Sequence, residues 1–278
     1  MTRLLPALLA LIFSLATVAA NAQEFERERA QQLWEQVIAA KGGRERLYAV
    51  SNLVVSSKTK NIHPTKDFPG HHFESLFVLS DKWWFWADER PGFGITIWTY
   101  DFGRQVGQET LDVLPEVRTY RPAQSPSELV AGSKSAKDDA TYQFAKGQFI
   151  EWQVIYLMET KWLQPTRLRA WTERFYRKKV SVVEVSHGRE RFEFYLDGKT
   201  HLPVQVILRT RIEAMGRDYE DGYVLGDYVE VGGIQFPSTV RRGGEKNETT
   251  YQVNVAYDAD IFERPPVIEA GPEAWKKK

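Results

Sequence analysis

The chain contains no cysteine in 278 residues. That absence excludes disulfides, thiol catalysis and cysteine-ligated metal. It also excludes a lipid anchor attached through a cysteine thiol after an export signal. A surplus of charge is missing too, because 37 basic side chains stand against 37 acidic ones. Phosphate neutralisation draws on a basic excess, so nucleic acid is not an expected partner. No H-E-x-x-H, G-x-S-x-G or phosphate-loop pattern occurs.

A long apolar run occurs once, at the N-terminus. Arg3 gives a positive start, Leu4 to Val18 are mostly apolar, and Ala20-Asn21-Ala22 forms a small-x-small cleavage site. This is the pattern of a secretory signal peptide over residues 1–22, with export to the periplasm as the expected destination. The run is short for a membrane span of about 20 apolar residues. An uncut anchor helix is the competing reading. Cleavage after Ala22 leaves Gln23 to Lys278, with 36 basic and 37 acidic side chains. The mature length suffices for one large core, and residues 23–278 read as a single domain.

Aromatic residues are plentiful at 13%, with nine Trp and fifteen Phe. They suit pleated surfaces or an apolar ligand cavity. Glu24 to Ala40 reads as a helix with Ala30, Leu33, Trp34, Val37 and Ile38 on one stripe. Gly42-Gly43 ends it, and a short turn of helix follows over Arg44 to Ala49. Short strands then alternate with turns: Leu53 to Thr59, His72 to Leu79, Trp83 to Ala87 and Ile95 to Tyr100. Residues 115–138, interrupted by Pro115, Pro122 and Pro126, read as a mobile loop. Asp138-Asp139 caps a helix expected over Thr141 to Leu163, closed by Pro165 and apolar nearly all round in its second half.

Seven further strands are expected after that helix. They are Arg167 to Phe175, Lys179 to Ser186, Glu190 to Leu196, Pro203 to Glu213, Tyr219 to Val231, Ile234 to Arg241 and Thr249 to Tyr257. Gly198-Lys199 and Gly232-Gly233 mark hairpin turns. Residues 265–278 read as a tail. The fold class is mainly β with helices: one curved antiparallel sheet wrapped around a central helix.

No compact catalytic or metal set emerges, and no cofactor is implied. His71 and His72 point to opposite faces of a strand and cannot chelate one ion together. His63 and His71 with one carboxylate could hold a metal, though ordinary loop and strand positions account for both. The basic stretch Arg167 to Lys179 reads as a solvated strand face or as a patch for anionic lipid head groups. The aromatics give the stronger lead. Trp84 and Trp86 share one face of a strand, Trp83 and Phe85 the other. Either helices cover both faces, or one face lines a cavity for an acyl chain. Phe77, Trp84, Trp86, Trp98 and Phe149 are the candidate ligand-binding residues.

Four segments carry a family resemblance: Ala40-Lys41-Gly42-Gly43, Asp197 to Pro203, Asp227 to Pro237, and Ile261 to Pro266. With them the chain resembles the LolA/LolB-like superfamily of periplasmic lipoprotein carriers and lipoprotein-sorting proteins. The resemblance implies an unclosed antiparallel β-barrel with helices packed in its concavity over a hydrophobic cavity. It implies a non-enzymatic binder of lipid or lipidated protein, working with an envelope membrane complex in lipoprotein sorting. Two readings compete: an exported hydrolase with a dispersed site around His71, His72 and Asp81, and a structural partner of an envelope complex.

Overall fold

The computed structural model describes residues 24, 26–61, 70–90, 94–112, 114–121, 133–135, 139–175, 177–187, 190–212 and 217–277. The signal segment, His63 and most of 122–138 lie outside them. Among the described residues, fourteen strands form one open sheet in the order β7-β6-β5-β4-β3-β2-β1-β14-β13-β12-β11-β10-β9-β8. In chain order they are β1 Asn52–Asn61, β2 His71–Val78, β3 Lys82–Asp88, β4 Ile95–Asp101, β5 Val106–Leu111, β6 Leu114–Arg121 and β7 Ser133–Ser135. Then come β8 Arg167–Phe175, β9 Lys178–His187, β10 Glu190–Leu196, β11 Pro203–Ile212, β12 Arg217–Val231, β13 Ile234–Arg242 and β14 Glu245–Val253. The helices are α1 (26–41), α2 Arg44–Ala49 and α3 Ala140–Leu157. The unclosed, mainly antiparallel sheet with packed helices is the fold class expected. Only β6 and β7 pair in parallel among the described ladders.

The chain divides into two compact units. The first joins the described part of Met1–Ala40 to Pro165–Asp221. Its core comes from alternation on β9 and β10, where Val183, Val185, Phe192 and Phe194 are all buried. Helix α1 lays Ala30, Trp34, Val37 and Ile38 against them, with Trp34 5.7 Å from Phe194 between ring centres. Asp197 shapes the next turn, its carboxylate accepting from the backbone N–H groups of Lys199 and Thr200 at 3.0 and 2.8 Å.

The second unit comprises Lys41–Gln164 and Gly222–Lys278. Helix α3 starts where Asp139 accepts from the N–H groups of Thr141 and Tyr142 at 2.8 and 3.2 Å. From Gln153 to Leu157 every residue is buried, so the second half of the helix is enclosed as its composition suggested, while Gln143, Phe144 and Lys146 in the first half are exposed. It stops at Leu157, six residues short of the expected end. Met158 takes φ +67°, and residues 160–163 close their own turn, with Leu163 N–H donating to Thr160 Oγ1 at 3.0 Å. Consequently Trp162 is 47% exposed, and Phe144, near the helix start, is 59% exposed. Trp152 is half-buried, stacked 5.4 Å from Tyr156.

Three further differences from the expectation concern segments. Within the stretch 115–138 assigned to a loop, residues 115–121 belong to β6, Leu114–Arg121, and Ser133–Ser135 form β7. Pro115 falls in the stretch where the β5–β6 register shifts, a bulge-type position that tolerates the missing N–H, and Val117, Thr119 and Tyr120 carry strong β-propensity. Strand β5, Val106–Leu111, has no counterpart in the sequence reading. The tail is docked, because Trp275 is 2% exposed.

The Lys41-Gly42-Gly43 segment has a physical explanation. Gly42 adopts φ +125°, and a Cβ there would lie 2.2 Å from the Gly233 carbonyl oxygen in the β12–β13 turn. Gly232 and Gly233 hold φ +61° and +77°, the paired positive angles of a type I′ hairpin. Gly42→Ala should therefore lose about 2–4 kcal/mol from φ strain and the clash. Urea unfolding would check it, and an unchanged midpoint would remove the close approach as the glycine's reason.

Candidate functional site

The site is built on β3, whose Trp83-Trp84-Phe85-Trp86 alternate between faces. Register with the neighbours then decides which aromatics meet. Phe77 lies opposite Trp83, Trp83 opposite Tyr100, and Phe85 opposite Trp98. These belong to the face that α3 covers. Trp83 stacks on Phe77 at 5.9 Å and meets Trp98 edge-on at 5.5 Å. Phe149 from α3 packs on Phe77 at 6.1 Å and on Phe102 at 4.9 Å. The result is a filled aromatic core beneath the helix. Farther along this face Phe73, Phe85 and Trp98 are half-buried, with Phe85 and Trp98 5.1 Å apart.

The opposite face holds Trp84 and Trp86, packed with Val54, Leu76, Ile97 and Trp275. The five candidate residues are thus split by the sheet. Phe77, Phe149 and Trp98 stand on the helix side, Trp84 and Trp86 on the other. They cannot line one cavity.

The cover on the Trp84 side is the C-terminal segment. Ala259–Phe262 and Ile268–Ala270 form single 3-10 turns. Asp258 N–H donates to Trp275 O at 2.8 Å, and Tyr257 bridges to Lys276. Arg264 ties the loop to itself through Asp258 at 3.0 Å and the Ala274 carbonyl at 3.3 Å. Trp275 Nε1 donates to the buried Glu74 carboxylate on β2. Burial raises the Glu74 pKa, and the hydrogen bonds from Trp275 and Ser56 oppose that shift.

Between this segment and the sheet lies a cavity of about 520 Å³. Trp84, Ile97, Ile261, Pro265, Val267 and Ala274 make its apolar wall. Arg264, Glu273 and Lys276 stand at its rim. Val267 is 51% exposed, so the cavity communicates with solvent. Its volume falls within the range of about 300–1,000 Å³ usual for small-molecule sites. Sequence reasoning found Trp84 but missed the rest of this wall, because the Pro265-Pro266 stretch reads as a chain end.

A second cleft of about 600 Å³ is polar, lined by Lys58, His71, His72, Asp88 and Arg90. Burial and the Lys58 charge lower the His72 pKa, and Asp88 pulls it up. Arg90 holds Asp88 at 2.6 Å and lowers its pKa. Asp81 follows the far end of β2, roughly 20 Å along the strand from His71. The proposed His71–His72–Asp81 set is therefore not assembled. Among the described residues no group of three or more His, Asp or Glu could hold a metal ion.

No family model matches the chain, and no curated protein matches it. Solved structures do. A domain assigned to outer membrane lipoprotein sorting, from Vibrio parahaemolyticus, shares 13% identity at TM-score 0.43, covering 85% of this chain and 97% of the other. The LolA superfamily protein NE2245 from Nitrosomonas europaea shares 11% identity at TM-score 0.45, covering 84% and 97%.

Proposed function

We propose that the chain is an exported, non-enzymatic carrier that holds an acyl chain of a lipid or lipidated protein in the periplasm, in contact with an envelope membrane complex. The observation that carries this reading is the apolar cavity between Trp84 and the C-terminal segment. Each methylene moved from water into it gains about 0.8 kcal/mol, before the cost of ordering the chain. Arg264 and Lys276 at the rim suit an anionic head group beside a buried tail. Export rests on the first 22 residues, and Edman sequencing of the mature protein should begin at Gln23.

A fluorescent fatty-acid probe should bind and quench Trp emission. Ala274→Phe, which fills the cavity without removing a core ring, should weaken that binding about tenfold or more. Trp98→Ala, on the helix side of the sheet, should leave it within about twofold. A loss that follows Trp98 and spares Ala274 would move the acyl chain to the half-buried Phe85–Trp98 face. Absence of binding to the unaltered protein would end the carrier reading.

A further inference from the structure

We propose that the outer edge of β8 is a strand-addition site for an extended acidic polypeptide segment. Strand β8 ends the sheet, and β9 is its one strand neighbour among the described residues. Its nine residues all remain at least partly accessible. An edge strand presents a row of backbone N–H and C=O groups, which a second extended chain satisfies in ladder fashion. A groove of about 830 Å³ runs beside it. Glu26, Arg27 and Gln31 from the first turns of α1 form one wall, and Arg167, Arg169 and Trp171 come from β8. The site belongs to the first unit alone and is independent of the acyl cavity.

Charge selects the occupant. No carboxylate lies within ion-pair distance of Arg27, Arg167 or Arg169 among the described residues, and Glu26 is the one acid of the groove. Arg167 and Arg169 are two apart and so share a face, matching glutamates spaced by two on an incoming strand. The same arginines repel a second copy of β8, which disfavours self-association through this edge. A lipid head group would meet the arginines too, but it offers no periodic backbone to pair with the open edge. The ladder geometry favours the peptide.

The test uses the full-length protein and a fluorescein-labelled peptide of about eight residues alternating Glu and Val. Fluorescence anisotropy should report binding that weakens with salt. The Arg167→Glu, Arg169→Glu double variant should weaken it about tenfold or more. Arg167→Lys with Arg169→Lys should retain most of it, since the charge stays. Circular dichroism should report both variants folded, because the substituted side chains are exposed. The same peptide N-methylated at alternate residues keeps its charge and loses one hydrogen-bonding edge, so one of the two methylation phases should abolish binding. Undiminished binding of both methylated peptides, or of the charge-reversed protein, overturns the inference. So does failure of the peptide to bind while phosphatidylglycerol vesicles bind in an Arg167- and Arg169-dependent manner.

Discussion

Trp83→Ala and Trp84→Ala should each destabilise the protein by about 3–5 kcal/mol, although the two side chains are consecutive and point to opposite faces. Both rings are 1% exposed. In a sheet with one wet face, one of the pair would stand in solvent and its removal would cost under about 1 kcal/mol. Here α3 covers Trp83 through Phe77 and Phe149, and the C-terminal segment covers Trp84 through Ile261 and Trp275. Each truncation leaves a large void in packing that is only partly able to collapse. Urea unfolding, followed by far-ultraviolet circular dichroism so that the lost fluorophore does not matter, should give two similar midpoint shifts. A small shift for Trp84 alone would mean that the C-terminal segment does not stay seated. A small shift for Trp83 alone would displace α3 from the sheet.

The split of the five aromatics shows where the sequence stops informing. Alternation within β3 is local, so the pairing of Trp84 with Trp86 was legible. Whether Phe77 and Trp98 join them depends on how β2 and β4 align with β3. The observed register sets Phe77 against Trp83 and Trp98 against Phe85. A shift by one residue would have placed both beside Trp84. Register is a property of turns and of the whole core, and no single strand records it.

Elements with strong local chemistry were legible almost to the residue. Helix α2, β8 and β10 fall where periodicity and turn residues put them, and Gly232-Gly233 makes its hairpin. Strand β5 escaped because Val106-Gly107-Gln108-Glu109-Thr110-Leu111 is largely polar and contains a glycine. The structure supplies the reason for that glycine: a Cβ at 107 would sit 2.3 Å from the Tyr100 ring. The need arises on the neighbouring strand and leaves no mark in the segment itself. The C-terminal cover escaped for the opposite reason. Two prolines and several charges hid one informative residue, Trp275, whose burial turns an apparent tail into the wall of the cavity.

Stability should rise with pH from about 7 toward 10, with Lys41 as the cause. Its side chain is 1% exposed, and burial lowers its pKa from 10.5 to about 7. Lys41 Nζ donates to Tyr156 O at 2.7 Å and to Gln235 O, and lies 4.9 Å from the centre of the Phe236 ring. Tyr156 O belongs to the last turn of α3, an orphan acceptor that the amine satisfies. Between pH 7 and 10.5 the unfolded chain binds a proton that the folded chain releases. Stability therefore increases with pH across that window, and the full penalty is in place below it. Three and a half pKa units set a ceiling of about 5 kcal/mol, which the two carbonyls and the ring reduce by favouring the ammonium. Above pH 10 the trend should reverse, since burial raises the pKa of Tyr142 to about 12 and that of Tyr156 further still. A folded tyrosine that keeps its proton while the unfolded one loses it contributes stability that vanishes as pH climbs. Lys41→Met separates the two trends. It leaves the two carbonyls unpaired at every pH, at about 1–3 kcal/mol, but removes the buried amine. At pH 9 the variant should be the less stable protein, and by pH 6 the gap should close or invert. A gap of constant size in urea unfolding at both pH values would show that the Lys41 amine stays charged inside the fold.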